Sequence, residues 1–203
     1  MSRHADSATS LTGRLPGILA WILCLAAVCM AIWIPDYLPF TDYPVHLALI
    51  RAAGIPGRAQ PLTVDYYDTD WFTPYTIPYQ LGRWMTAVIP LEITGKLLLT
   101  LYLLLTPLAM ARLLSQLGKP RILALGMIPL LFNFNLSWGF LPFLLVIPMT
   151  LETAGRAIHF LVHPDTRRWL LLALMFSLVF FTHLFGLITA MVGMIFGIPS
   201  GRL

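Results

Sequence analysis

The sequence predicts an all-α fold: a polytopic transmembrane helix bundle with about five spans and one large extracytoplasmic loop carrying short amphipathic helices. Three observations lead there. Of 203 residues, 58% are hydrophobic and only 11% charged, whereas a soluble domain of this size devotes roughly a quarter of its residues to charge. Apolar runs recur along the whole chain, and the first, Leu15 to Ile34, holds 20 residues without a charge. At about 1.5 Å per residue such a helix crosses a hydrocarbon layer roughly 30 Å thick. The bases, finally, gather in alternate connections between the runs.

Each element follows in order. The first run ends in Ile32-Trp33-Ile34-Pro35, without the small residues of a cleavage site, so it is expected to remain as an anchor. Val28 stands where a lipoprotein cut site before Cys29 wants a small residue. Residues 35–96 form the large outer loop. Four further runs, Leu97 to Met110, Ile122 to Phe132, Leu136 to Leu151 and Trp169 to Gly197, make up the remaining spans over 97–197. The run from Ile122 holds only 11 residues and is expected to end in a partly unwound or interfacial stretch. Pro107, Pro129, Pro142 and Pro148 predict kinks that neighbouring helices must satisfy. With a cytoplasmic N-terminus, the inner side receives Arg3, Arg14, Arg112, Lys119, Arg121, Arg156, Arg167 and Arg168. The outer side before the tail then receives Arg51, Arg58, Arg83 and Lys96, all in the long loop, which positive-inside counting weights lightly. Tyr75 to Ile89 is read as an amphipathic helix on the outer surface, because a further span there would invert the basic cluster. The expected place is therefore the plasma or inner membrane, multi-pass.

The net charge of +4 and pI near 9.3 do not indicate nucleic acid, since the bases build no continuous stripe. Cys24 and Cys29 lie inside the first run and form neither a disulfide framework nor a zinc spacing. No phosphate-binding glycine loop, nucleophile elbow or zinc-protease motif is present. Polar chemistry concentrates in the outer loop, which holds six of the nine acids and many aromatic rings. Those rings suit an interfacial belt or a stacked sugar face.

The stretch Thr41-Asp42-Tyr43-Pro44-Val45-His46-Leu47-Ala48-Leu49-Ile50-Arg51 places an acid near the start of this loop and a short helix after it. A Tyr/Pro-rich amphipathic segment then precedes the next span, Pro74 to Gly118, and an Asn133-Phe134-Asn135-Leu136-Ser137-Trp138-Gly139-Phe140 turn precedes another. This layout resembles the GT-C superfamily of membrane glycosyltransferases. The resemblance implies a polyprenyl-phosphate or polyprenyl-diphosphate sugar donor, membrane lipid as surroundings, and a catalytic acid in the first extracytoplasmic loop. Many relatives carry an adjacent acid pair, whereas here Asp42 is followed by Tyr43. Relatives also have about twice as many spans, so the chain is expected to be an N-terminal fragment, inactive as it stands.

Asp42 is the leading catalytic candidate. A carboxylate within reach of the acceptor hydroxyl can take its proton, although Asp before Pro44 equally suits a helix N-cap. His46, four residues on, shares its helix face and could orient the carboxylate or bind phosphate. Asp70 belongs to Asp65-Tyr66-Tyr67-Asp68-Thr69-Asp70-Trp71, whose oxygens could serve a hard divalent cation, the one cofactor the sequence leaves room for. It lacks the glycine and closing glutamate of a calcium loop, and a solvated acidic turn is the plainer account. Arg83 and Lys96 flank the surface helix and could hold a phosphate leaving group or pair with lipid headgroups. Asn135 belongs to the outer turn as a substrate-binding candidate. His183 is the sole ionisable residue of the final run, and at membrane depth it defaults to a functional reading. His159 and His163 are spaced for a shared metal but sit in the basic inner loop. Two rival classes are a non-catalytic membrane subunit and a transporter. The latter would show broken helices or paired charges in corresponding positions of internal repeats, and no repeat is present.

Overall fold

The computed structural model of the chain describes residues 3–54 and 72–196, with side chains over 16–54 and 72–195. All regular elements among them are helical: α1 (Arg3–Trp33), α2 (Tyr43–Ala52), α3 (Thr76–Met85), α4 (Leu91–Gln116), a 3-10 helix (Arg121–Met127), α5 (Ile128–Leu131), α6 (Phe134–Trp138), α7 (Leu141–Val162), α8 (Thr166–Thr182) and α9 (Leu184–Phe196). Among the described residues, three helices are long and apolar enough to cross a membrane: α1 over Pro16–Trp33, α4 and α7. They are buried inside the protein to 11%, 44% and 56% respectively, so α4 and α7 form the centre and α1 the periphery. Leu98, Leu99, Tyr102 and Leu103 of α4 and Leu141 and Leu144 of α7 make the core, each at most 1% exposed.

The two central helices run parallel. Tyr43 packs against Gly95 near the start of α4 and against Gly139 just ahead of α7, while Arg112 pairs with Glu152 at 3.5 Å toward the far ends. The chain between them must return the full way, and it does so through the 3-10 helix, α5 and α6. Seven 3-10 residues and four α residues cover about 20 Å at 2.0 and 1.5 Å each. The run Ile122 to Phe132 is therefore not a regular α-helical span. Its irregular backbone is satisfied from α4: Tyr102 Oη donates to the Leu131 carbonyl at 2.9 Å and accepts from Asn133 Nδ2 at 3.3 Å. Within an apolar layer such freed carbonyls require an internal donor.

Other expected boundaries shift for local reasons. α4 starts at Leu91, not Leu97, because Pro90 heads it and Glu92 lies in the first turn, where a carboxylate complements the helix dipole. α7 starts at Leu141, not Leu136, since Leu136 belongs to α6, which Gly139 ends at φ +78°. The final run, Trp169 to Gly197, is broken. His183 is extended (φ −168°, ψ 128°) and separates the 17-residue α8 from the 13-residue α9. Its Nδ1 accepts the Phe185 amide at 3.2 Å, the bond an N-cap side chain makes. α9 then packs against α7 and α8, with Gly186 set directly against Val146 and Thr150. The helix start expected at Asp42 and the helix expected within Tyr75 to Ile89 are both present, as α2 and α3.

Candidate functional site

A cavity of about 530 Å³ lies where α2, α3, the start of α7 and the α8–α9 break converge, lined by His46, Tyr75, Tyr79, Asn135, Phe140, Pro142, Phe143, His183 and Phe185. Three residues singled out in the sequence, His46, Asn135 and His183, thus share one wall although they come from α2, α6 and the α8–α9 break. The remainder is mostly aromatic, and Tyr75 and Tyr79 belong to the outer-loop rings read as an interfacial belt or a stacked sugar face. Tyr79 stands four residues before Arg83 on α3, and its contact with His46 was not readable from spacing.

Tyr79 Oη lies 2.8 Å from His46 Nδ1, and the two rings stack at 6.0 Å. Burial pushes the Tyr79 phenol up to about 12, so it keeps its proton and needs an acceptor. Donation to Nδ1 supplies one and leaves the imidazole proton on Nε2. That nitrogen is buried with no partner among the described residues. An unmet buried donor costs about 1–3 kcal/mol, a cost that a ligand oxygen in the cavity would remove. Burial also lowers the proton affinity of His46, against the opposing field of Asp42. The unfolded chain therefore takes up the proton first, and stability should decline as pH falls below about 6.5, toward the lower folded value. Melting curves at neutral and mildly acidic pH check this. His46→Gln should flatten the dependence, and an unaltered slope would remove His46 as its source.

His183 faces rings on three sides. Tyr75 and Phe143 meet it edge-on at 4.8 and 5.2 Å, and Phe185 lies at 5.9 Å. Because Nδ1 accepts a backbone N–H, the proton of the neutral ring sits on Nε2 here too. Tyr75 is the one non-glycine residue with positive φ among the described residues, at +80°. Such a backbone costs on the order of 1–3 kcal/mol and persists where its surroundings fix it. Here it opens α3 and aims the ring at His183.

Asp42 heads α2 and makes no side-chain cap bond. Its amide donates to the Trp138 carbonyl at 2.7 Å, which ties the start of α2 to the corner before Phe140. The carboxylate has no hydrogen-bond or ion-pair partner among the described residues and stands one helical turn from His46. Lys96 lies apart from the cavity, only 9% exposed. Its Nζ donates to the Pro35 carbonyl at 2.6 Å and sits over the Trp33 ring, an α1–α4 clamp rather than a cavity cation. Arg83 Nε donates to the Gly54 carbonyl at 3.1 Å, joining α3 to the end of α2. Asp70 and its acidic cluster lie outside the described residues. Among the described residues, no group of three or more His, Cys, Asp or Glu could hold a metal ion.

Rings, two neutral imidazoles and an amide are suited to a partly apolar ligand with hydroxyl groups, and the adjacent carboxylate adds a base. No family model, curated protein or solved structure matches the chain.

Proposed function

We propose that this is a GT-C-like integral membrane glycosyltransferase that moves a sugar from a polyprenyl-linked donor to an extracytoplasmic acceptor. Asp42 carries the reading. An unengaged carboxylate one helical turn from His46, which lines the cavity, can take the acceptor hydroxyl proton as that oxygen attacks the anomeric carbon. The bond to the lipid phosphate breaks at the same time, and the phosphate leaves with the electron pair. His46 Nε2–H and Asn135 would hold sugar hydroxyls, and Tyr75, Tyr79 and Phe143 would stack on the sugar or the first isoprene units. Arg83, four residues after Tyr79 on the same face of α3, would supply a cation for the leaving phosphate. Transfer from a polyprenyl-phosphate sugar in membranes bearing the longer parent expected from the sequence tests the reading, and equal measurable rates with and without the Asp42 carboxylate would remove it.

The helix break at His183 favours a transporter reading only in part. In transporters such breaks lie near the bilayer midplane, whereas His183 meets Tyr75 before α3 and Phe143 in the first turn of α7, at one end of the bundle.

In this proposal the N-terminus is cytoplasmic and the chain crosses five times, the third crossing being the irregular segment after Arg121. A reporter fused after Arg58 should behave as extracytoplasmic and one fused after Arg121 as cytoplasmic. Swapped results would put the cavity on the wrong side for an extracytoplasmic acceptor.

A further inference from the structure

We propose that the end of the bundle opposite the aromatic cavity holds one anionic phospholipid by its phosphate group. The site is a pocket of about 350 Å³ between the C-terminal ends of α4 and α7 and the start of α8. Arg156, Arg167 and Arg168 line it against Glu152 and Asp165, leaving one net positive charge. Both carboxylates are already engaged. Glu152 takes Arg156 at 2.8 Å and Arg112 at 3.5 Å. Asp165 takes Arg168 Nε at 3.0 Å and the Arg168 amide at 2.9 Å. These pairs hold two guanidinium groups of the wall in place, while Arg167 has no partner among the described residues. Its charge is the one the pocket leaves unanswered. Guanidinium groups match phosphate oxygens in pairs, and His159 adds a further hydrogen-bonding group to the wall.

The apolar side chains beside the pocket argue for a lipid over a soluble phosphate. Leu171 is part of the wall, and Trp169, Leu170 and Leu174 on the same helix are 56%, 56% and 52% exposed. A tryptophan beside arginines marks headgroup depth, and acyl chains can run along α8 from there. Basic pockets between membrane helices take anionic headgroups. The inference does not depend on transferase activity, only on the helices lying in a bilayer.

The test is native mass spectrometry of the protein released from phosphatidylcholine vesicles doped with phosphatidylglycerol. The parent should retain one phosphatidylglycerol. Arg167→Gln, which breaks no ion pair, should weaken retention about fivefold, Arg167→Lys should largely restore it, and Arg121→Gln, at the same end but outside the pocket, should leave it unchanged. Equal retention of phosphatidylcholine, no effect of Arg167→Gln, or an equal loss in Arg121→Gln would each overturn the proposal. So would binding of inorganic phosphate in pure phosphatidylcholine that Arg167→Gln abolishes, which would assign the pocket to a soluble anion.

Discussion

In the longer parent expected from the sequence, replacing Asp42 by Asn should lower sugar transfer by about 10² to 10⁴, the usual weight of a general base, while leaving expression and thermal stability at the parental level. The substitution keeps size and a side-chain oxygen and removes only the basic carboxylate. Asn and Asp rank alike as N-caps, and in this protein the Asp42 side chain makes no cap bond. Asp42→Ala should therefore cost less than the roughly 1 kcal/mol of a lost cap and still abolish most transfer. Turnover of a polyprenyl-phosphate sugar, measured beside a melting curve for each variant, separates the two roles. A parental rate in the Asn variant would sink the catalytic assignment and direct attention to His46. A normal rate with a lowered melting temperature in the Ala variant would make Asp42 a structural residue.

How much of this was legible in the sequence depends on the range of the interaction. The helix start at Asp42 was readable because an acid before Pro44 is a local signal. The first membrane-length helix was readable because 20 successive uncharged residues are long enough to cross a bilayer. The break at His183 was not, since the apolar composition runs straight through it and the bond that stabilises the break, Phe185 N–H to His183 Nδ1, forms only once the chain has turned. The irregular return after Arg121 showed itself as a run too short for a span. What holds it is Tyr102, 29 residues from its acceptor on Leu131, and no spacing rule links those two. The cavity has the same character. His46, Asn135 and His183 stood out individually, as a histidine one turn from an acid, an asparagine in a turn and a lone ionisable group. Tyr79 did not, because its role depends entirely on the packing of α3 against α2. The setting of Lys96 was equally long-range: its ammonium donates to the Pro35 carbonyl, 61 residues back in the chain, and sits over the Trp33 ring at the α1–α4 contact.

Gly139→Ala should destabilise the protein by about 2–5 kcal/mol. Two terms combine. Gly139 has φ +78°, where a Cβ costs about 1–2 kcal/mol. The added carbon would also lie 2.8 Å from Tyr43 Cβ and 2.9 Å from both Phe40 Cβ and the Tyr43 backbone nitrogen, and overpacking of that kind costs about 1–3 kcal/mol. Backbone cannot swing aside as a flexible side-chain end can. Two other glycines separate the terms. Gly118 has φ +69° with nothing within 4 Å of the added carbon, so Gly118→Ala should show the conformational term alone. Gly126 has open space and no positive φ, so its alanine variant should be neutral within about 0.5 kcal/mol. Unfolding titrations of the three variants give the ordering Gly139 above Gly118 above Gly126. The same push acts on the site, because the Trp138 carbonyl just before Gly139 accepts the Asp42 amide and Phe140 just after it lines the cavity. In the longer parent, transfer should fall in Gly139→Ala and persist in Gly118→Ala. If Gly139→Ala proved as mild as Gly118→Ala, the corner before α7 would not be packed against Tyr43, and the contact that sets Asp42 beside the cavity would have to be abandoned.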